Sequence, residues 1–302
     1  MENPRPVGWI ERWRSENESR LREIGLAMYL LRKNPLSLVG LVMVLGIIVM
    51  SILAPVLATH DPMSVNLSEQ FQPPSWKHYF GTDDLGMDIY SRVLYAGVYD
   101  LSVGLIVLVV STSVGTIIGV VAGYFGGKTD EVLMRISDVF LACPGLVLAM
   151  AFSAAMESRS LEVLVFAIAI RNWPSYARLV RGQTLTIREQ QYVEAARASG
   201  ASSWQILARH IIPNCISPII INATLDTGRI ILTAATLSFI GLGAPPGTPE
   251  WGRMVADGRV YMQYDPWIIL CPGLMIVITV LGLNLLGDGL RDILDPRARI
   301  QA

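Results

Sequence analysis

Charged side chains are scarce in this 302-residue chain: Asp, Glu, Lys and Arg make up 16% of it, against 52% hydrophobic residues. That balance is too apolar for an ordinary soluble domain and puts the chain in a membrane. The net charge of −1 excludes an overall basic or acidic pull toward nucleic acid or an acidic ligand, so only local charge is informative. Cysteine is nearly missing as well. Cys143, Cys215 and Cys271 lie far apart in apolar stretches, which excludes a disulfide framework or a metal knuckle and leaves them as small packing residues. The three histidines, His60, His78 and His210, are widely separated, and neither HExxH nor GxSxG occurs, so no hydrolytic constellation is expected. Asp83, Asp84 and Asp88 miss the spacing of a calcium loop and read as a polar external turn. GGKTD, Gly126 to Asp130, has the ending of a phosphate-binding loop, but Ala122 stands where that loop needs glycine. No catalytic, cofactor-binding or metal-binding residue is expected in this chain.

What the sequence does have is long runs without charge. No Asp, Glu, Lys or Arg occurs from Asn34 to His60, Leu101 to Gly127, Val139 to Met156, or Pro266 to Gly287. A span takes about 20 apolar residues at about 1.5 Å each. Two further stretches come near this while carrying isolated charges: Val163 to Val180, with Arg171 and Arg178, and Ser217 to Gly243, with Asp226 and Arg229. The expected fold is an all-α integral membrane protein with six transmembrane helices. Lys and Arg crowd into the N-terminus, the second and fourth loops and the C-terminus, which makes those segments cytoplasmic.

The chain then divides into a cytoplasmic basic amphipathic segment (1–33), a first span with a long external loop (34–100), a five-helix core (101–290) and a cytoplasmic tail (291–302). The first segment mixes Trp9, Trp13, Leu21 and Ile24 with Arg12, Arg14, Arg20 and Arg22, a pattern suited to lying on membrane lipid. In the second span Gly115, Gly119 and Gly123 recur every four residues and form a flat face for close helix approach. The triplet CPG occurs at Cys143 to Gly145 and at Cys271 to Gly273, a hint of kinked entries to two spans.

One cytoplasmic loop, residues 190–213, stands apart: QQYVEAARASGASSWQILARHIIP is polar and helix-forming. Gln190 to Ala198 reads as a helix, Gly200 as its left-handed cap, and Ser202 or Ser203 as the start of a second helix that stops at Pro213. Ala195, Ala196 and Ala198 leave a thin surface suited to a partner's groove, with Glu194 as an anionic anchor.

These residues resemble the EAA loop of permease subunits of ATP-binding-cassette importers: Glu194, Ala195, Ala196, then Gly200, then an apolar run ending at Pro213. FGTDDLGMDIYSRVLYAG (Phe80 to Gly97), GYFGGKTDEVLMRISDV (Gly123 to Val139), PPGTPEWGRMVADGR (Pro245 to Arg259) and LGDGLRDILDPR (Leu286 to Arg297) are similar to the dipeptide and oligopeptide C-type permeases. Met87 replaces the arginine usual there, so a salt bridge from that position is not expected. The resemblance implies a prokaryotic cytoplasmic (inner) membrane location and a second homologous permease subunit. It also implies two cytosolic ATPase subunits, an external solute-binding protein, and coupling to the ATPases through Glu194, Ala195, Ala196, Gly200 and Pro213. Solutes of the family include peptides, nickel chelates and oligosaccharides.

Arg171, Asp226 and Arg229 are the ionisable residues expected at mid-membrane, where an unpaired charge is costly. They read as pathway residues or as a lock between helices, with Asp226 and Arg229 spaced to pair with each other. An ion-gradient-driven secondary transporter or channel is the competing reading, though such proteins usually carry more mid-membrane ionisable groups.

Overall fold

The computed structural model describes residues 34–156 and 160–294. The amphipathic segment 1–33 and the tail from residue 295 lie outside the described residues. Among those described, the chain is helical with no strand, only an isolated bridge between Thr82 and Asp88. We label the principal helices α1 (Pro35–Ile52), α2 (Ile89–Phe125), α3 (Gly127–Ala142), α4 (Gly145–Ala155), α5 (Leu161–Arg188), α6 (Gln191–Ala198), α7 (Ser203–Ile206), α8 (Ile212–Ile240), α9 (Trp251–Gly258) and α10 (Trp267–Leu294).

Among the described residues, four helical segments are long and apolar enough to cross a membrane: α1, α2, Ser203–Ile240 and Trp267–Asp292. A fifth is counted if α3 and α4, bent by 89°, make one span. The run Val139 to Met156, expected as a single span, is therefore broken. Pro144 has no N–H to continue the helix and holds Cys143 extended, at φ −82°, ψ 137°. The second CPG triplet does not break its helix, since Pro272 lies inside α10.

The expected fourth span, Val163 to Val180, lies within α5 but is not apolar enough to count as a span on composition. Burial accounts for this. Twelve of the 18 residues from Val163 to Val180 are buried, compared with 28–33% of the apolar 18-residue stretch in each of the four segments, so this part of α5 is shielded by protein and tolerates polar groups. Its closest neighbour is α2. A Cβ on Gly119 would sit 2.5 Å from the Ala177 carbonyl oxygen, and one on Gly123 2.7 Å from Thr184 Cβ, while Gly115 abuts Tyr176. The four-residue glycine repeat is the contact surface that admits α5.

Helix α2 begins at Ile89, earlier than the expected span at Leu101, because Asp88 caps it: its Oδ2 accepts from Ser91 N at 2.8 Å. With 37 residues it is about 55 Å long, longer than a bilayer core, and its two ends organise the molecule. At the Asp88 end, α9 inserts Trp251, which is fully buried and donates from Nε1 to the Val93 carbonyl at 3.0 Å. Trp251 N donates to Asp100 Oδ2 at 3.0 Å. Met87 is buried and its sulfur accepts from Arg92 Nη1 at 2.9 Å. The usual arginine is thus replaced by an apolar residue that seats Arg92 without a salt bridge of its own. Asp83 holds the preceding turn, with Oδ1 accepting from Leu85 N and Met87 N at 3.0 and 2.8 Å. Burial pushes the Asp83 carboxyl above its ordinary range.

The histidines differ from expectation. His60 and His78, 18 positions apart in sequence, stack with ring centroids 4.6 Å apart, because the loop after α1 folds back over the start of α2. Cys143 also departs from the packing role: it is exposed, whereas Cys215 is buried and Cys271 half-buried.

Candidate functional site

Two sites predicted from sequence can be placed. The first is the polar segment at the Phe125 end of α2. Helix α6 closes with two backbone bonds, Gly200 N to the Arg197 carbonyl (3.0 Å) and Ala201 N to the Ala196 carbonyl (3.1 Å). This pairing requires a left-handed residue at Gly200, whose φ is +81°. Ser202 then caps α7. Gln205 N donates to Ser202 Oγ at 3.3 Å, and Ser202 N donates back to Gln205 Oε1 at 2.9 Å, a reciprocal capping box.

The predicted stop at Pro213 is not found. From Ser203 the helix continues through a π-helical stretch, Leu207–Ile211, into α8. Pro213 sits in the first turn of α8, where the wider π turn absorbs the carbonyl left without its usual N–H partner.

The segment is seated by one side only. Val193, Ile206, Leu207 and Ile211 are buried in a cluster with Val120, Val180 and Ile187. Arg197 lies over the Tyr124 ring at 6.0 Å, and Arg188 donates from Nη1 to the Gly123 carbonyl at 2.8 Å. The other face is open: Glu194, Ala195, Ala198 and Pro213 are exposed, Ala196 is half-buried, and Trp204 is 73% exposed. A Cβ on Gly200 would meet nothing within 4 Å, so that glycine is required by backbone conformation alone.

The second site is a polar cavity of about 250 Å³ between α3, α4, α5 and α8, lined by Arg171, Asn172, Ser175, Asn222, Asp226 and Arg229 among others. The break at Cys143–Pro144 opens it, and Gly145 leaves room for the Arg171 side chain, which lies directly against it. The predicted pair forms: Arg229 Nη1 is 3.4 Å from Asp226 Oδ1. Arg171 makes no ion pair among the described residues. Its Nη1 donates to Asn172 Oδ1 at 2.8 Å, and Asn172 Nδ2 donates in turn to Asp226 Oδ2 at 3.4 Å. Tyr176 OH completes the carboxylate at 3.1 Å.

Asn172 and Tyr176 did not emerge from the sequence, because neither carries a charge. Their i, i+4 spacing from each other, which puts both on one helix face, is the only signal they offered. Two guanidinium groups face a single carboxylate in this cavity, which leaves it with one positive charge in excess.

Residues 115–300 match the family described as binding-protein-dependent transport system inner membrane component. Residues 24–74 match the N-terminal TM domain of oligopeptide transport permease C. The chain is 44% identical to a probable D,D-dipeptide transport system permease protein of Escherichia coli K12, over 90% of this chain and 91% of that protein. Identity is 43% with a dipeptide transport system permease protein of Alkalihalophilus pseudofirmus, covering 89% and 88%. With the oligopeptide transport system permease protein of Bacillus subtilis it is 39%, covering 90% and 89%. Among solved structures, the fold is similar to a chain of the MetNI methionine ABC transporter in inward-facing conformations, with TM-score 0.55, 19% identity and coverage of 67% and 96%. On these matches along nearly its whole length, the chain belongs to the inner-membrane permease subunits of binding-protein-dependent ATP-binding-cassette importers, in their dipeptide and oligopeptide C-type branch.

Proposed function

We propose that this permease subunit forms half of a pathway for short peptides, crosses the membrane six times with both termini in the cytoplasm, and is driven through the segment Gln191–Pro213. A second, homologous permease supplies the other half, two cytosolic ATPase subunits sit beneath, and an external binding protein delivers the solute. The names of the relatives motivate the peptide assignment. The observation that carries the coupling role is the one-sided burial of α6 and α7. An apolar edge is anchored to α2 and α5, while the thin face with Glu194, Ala195 and Ala198 is left uncovered.

A segment rigidly joined to two long helices transmits force to them, and an ATPase pair that binds it differently with and without nucleotide shifts the two-state equilibrium of the spans. Gly200→Pro removes the left-handed turn, and Glu194→Lys reverses the anchor charge. Both variants are expected to insert normally, to retain less ATPase on co-purification and to lose solute uptake. Normal uptake by both at equal membrane content refutes the coupling role.

A further inference from the structure

The outer loop and the start of α2 bring together His60, His78 and Asp88, one ligating atom of each lying within 4.8 Å of the other two. We propose that this triad binds a divalent first-row transition metal ion, with Zn²⁺ as the best fit, and that the ion staples the end of the first span to the start of α2.

Four observations converge on this. Asp88 divides its two oxygens: Oδ2 is taken by the helix cap, at 2.8 Å from Ser91 N, which leaves Oδ1 for the imidazoles. Both rings turn the same atom toward it, with His78 Nδ1 at 2.8 Å and His60 Nδ1 at 3.8 Å. Ligands around tetrahedral Zn²⁺, with bonds of about 2.0–2.2 Å, lie about 3.3 Å apart, so the observed separations bracket a bound geometry that small side-chain rotations reach. Finally, the far nitrogen of His78 is provided for. Nε2 is buried without a hydrogen bond, and the carboxylate oxygen Glu69 Oε2 lies 3.4 Å away, itself paired with Lys77. A carboxylate on the far ring nitrogen is the arrangement that fixes the tautomer of a metal-bound histidine and raises its basicity.

Two neutral imidazoles and one carboxylate suit Zn²⁺ and its late first-row neighbours, not Ca²⁺ or Mg²⁺, which take shells of oxygen. The backbone is already arranged to hold the cluster. His60 N donates to Ser91 Oγ at 3.1 Å, and Thr59 Oγ1 reaches Asp88 Oδ2 at 3.4 Å. The rival account is a protonated His78 held between Asp88 and Glu69, with His60 merely stacked on it; that arrangement needs no metal.

The full chain, purified in detergent with an affinity tag free of histidine, is stripped with a chelator and titrated with Co²⁺ and then Zn²⁺. The expected result is one equivalent of Co²⁺ with visible d–d absorption that Zn²⁺ bleaches, and a Zn²⁺-dependent rise in unfolding temperature. His60→Gln, at a half-buried ring and so compatible with folding, abolishes both responses. Glu69→Gln keeps the stoichiometry but weakens affinity roughly 10- to 100-fold. Absence of stoichiometric binding by the wild-type chain, or unchanged binding by a folded His60→Gln variant, overturns the proposal.

Discussion

The two ends of α2 treat polar and aromatic residues in opposite ways. At the Asp88 end Trp251 is fully buried, and Asp83, Asp88, Arg92, Asp100 and Glu250 are buried with it. Contacts within the chain hold these groups: Asp88 caps α2 and pairs with His78, Arg92 reaches the Pro62 carbonyl at 3.1 Å, and Glu250 accepts from Gly252 N and Arg253 N. At the Phe125 end Trp204 is 73% and Tyr192 45% exposed, with Glu194 and Arg197 exposed beside them. One end holds most of its polar groups through contacts within the chain; the other presents a well-capped surface that nothing among the described residues covers. The Asp88 end has its own exception in Trp76, 94% exposed on the loop before His78, but its framework closes without it.

The largest effect that tests this contrast comes from removing one tryptophan at each end. Trp251→Ala deletes a fully buried side chain and leaves the Val93 carbonyl without its donor. It is expected to cost about 3–5 kcal/mol, read as lost thermal stability and low membrane content. Trp204→Ala is expected to change stability by no more than about 0.5 kcal/mol, as for other exposed sites. If Trp204 anchors a partner, the same substitution weakens ATPase retention by about 2 kcal/mol, roughly 30-fold. Equal stability losses in the two variants, with ATPase retention intact, erase the distinction between the ends.

The two ends were not equally legible in the sequence. The segment at the Phe125 end is built from local signals. Gly200, Ser202 and Gln205 dictate their own turn and cap through neighbours within five residues, so α6, its left-handed cap and α7 could be read directly. The π-helical stretch Leu207–Ile211 and the continuation of the helix past Pro213 are not legible there, because the wider i→i+5 turn has no compositional mark. At the Asp88 end the contacts are long-range. His60 meets His78 and Asp88, and Trp251 meets Val93 and Asp100, across as many as 158 positions, and no periodicity encodes such meetings. Helix α5 lies between these cases. Its apolar run is legible in the sequence, but the place of its polar residues is not, because that depends on packing against the glycine face of α2.

A smaller effect concerns pH at the Asp88 end. Burial pushes the Glu250 carboxyl above its ordinary value, and the N–H donors of the α9 cap and neighbouring Asp100 and Ser238 pull it part of the way back. In the unfolded chain the group titrates near about 4.3. As pH rises above that value the unfolded state loses its proton first while the native carboxyl keeps its own. Stability is therefore greatest below the ordinary value and falls, by at most about 1.4 kcal/mol per pH unit, until pH passes the raised native value. Glu250→Gln retains an acceptor for the cap but cannot ionise, so this portion of the slope should vanish. Thermal unfolding of both proteins as a function of pH measures the difference. Parallel curves show that the burial of Glu250 is not coupled to stability.

The smallest expected change in stability belongs to the cavity between the two ends, where Arg171 distinguishes a structural lock from a pathway group. Arg171 is half-buried and has no counter-charge among the described residues, and the Asp226 carboxylate that could have supplied one is held by Arg229, Tyr176 and Asn172. Arg171 touches that group only through the neutral amide of Asn172, so it contributes little to holding α5 against α8. Its charge is directed at the cavity, where a peptide's free carboxylate is a suitable counter-ion. Arg171→Gln is accordingly expected to leave stability within about 0.5 kcal/mol of wild type and to reduce uptake of a dipeptide more than that of its C-terminal amide. Asp226→Asn, which replaces the charged acceptor of three donors, should cost about 1–3 kcal/mol and serves as the control for a true lock. Measured in the reconstituted complex, a stability loss for Arg171→Gln comparable to that of Asp226→Asn assigns Arg171 to the lock. Equal uptake of dipeptide and amide by wild type and variant, at unchanged stability, removes Arg171 from the pathway altogether.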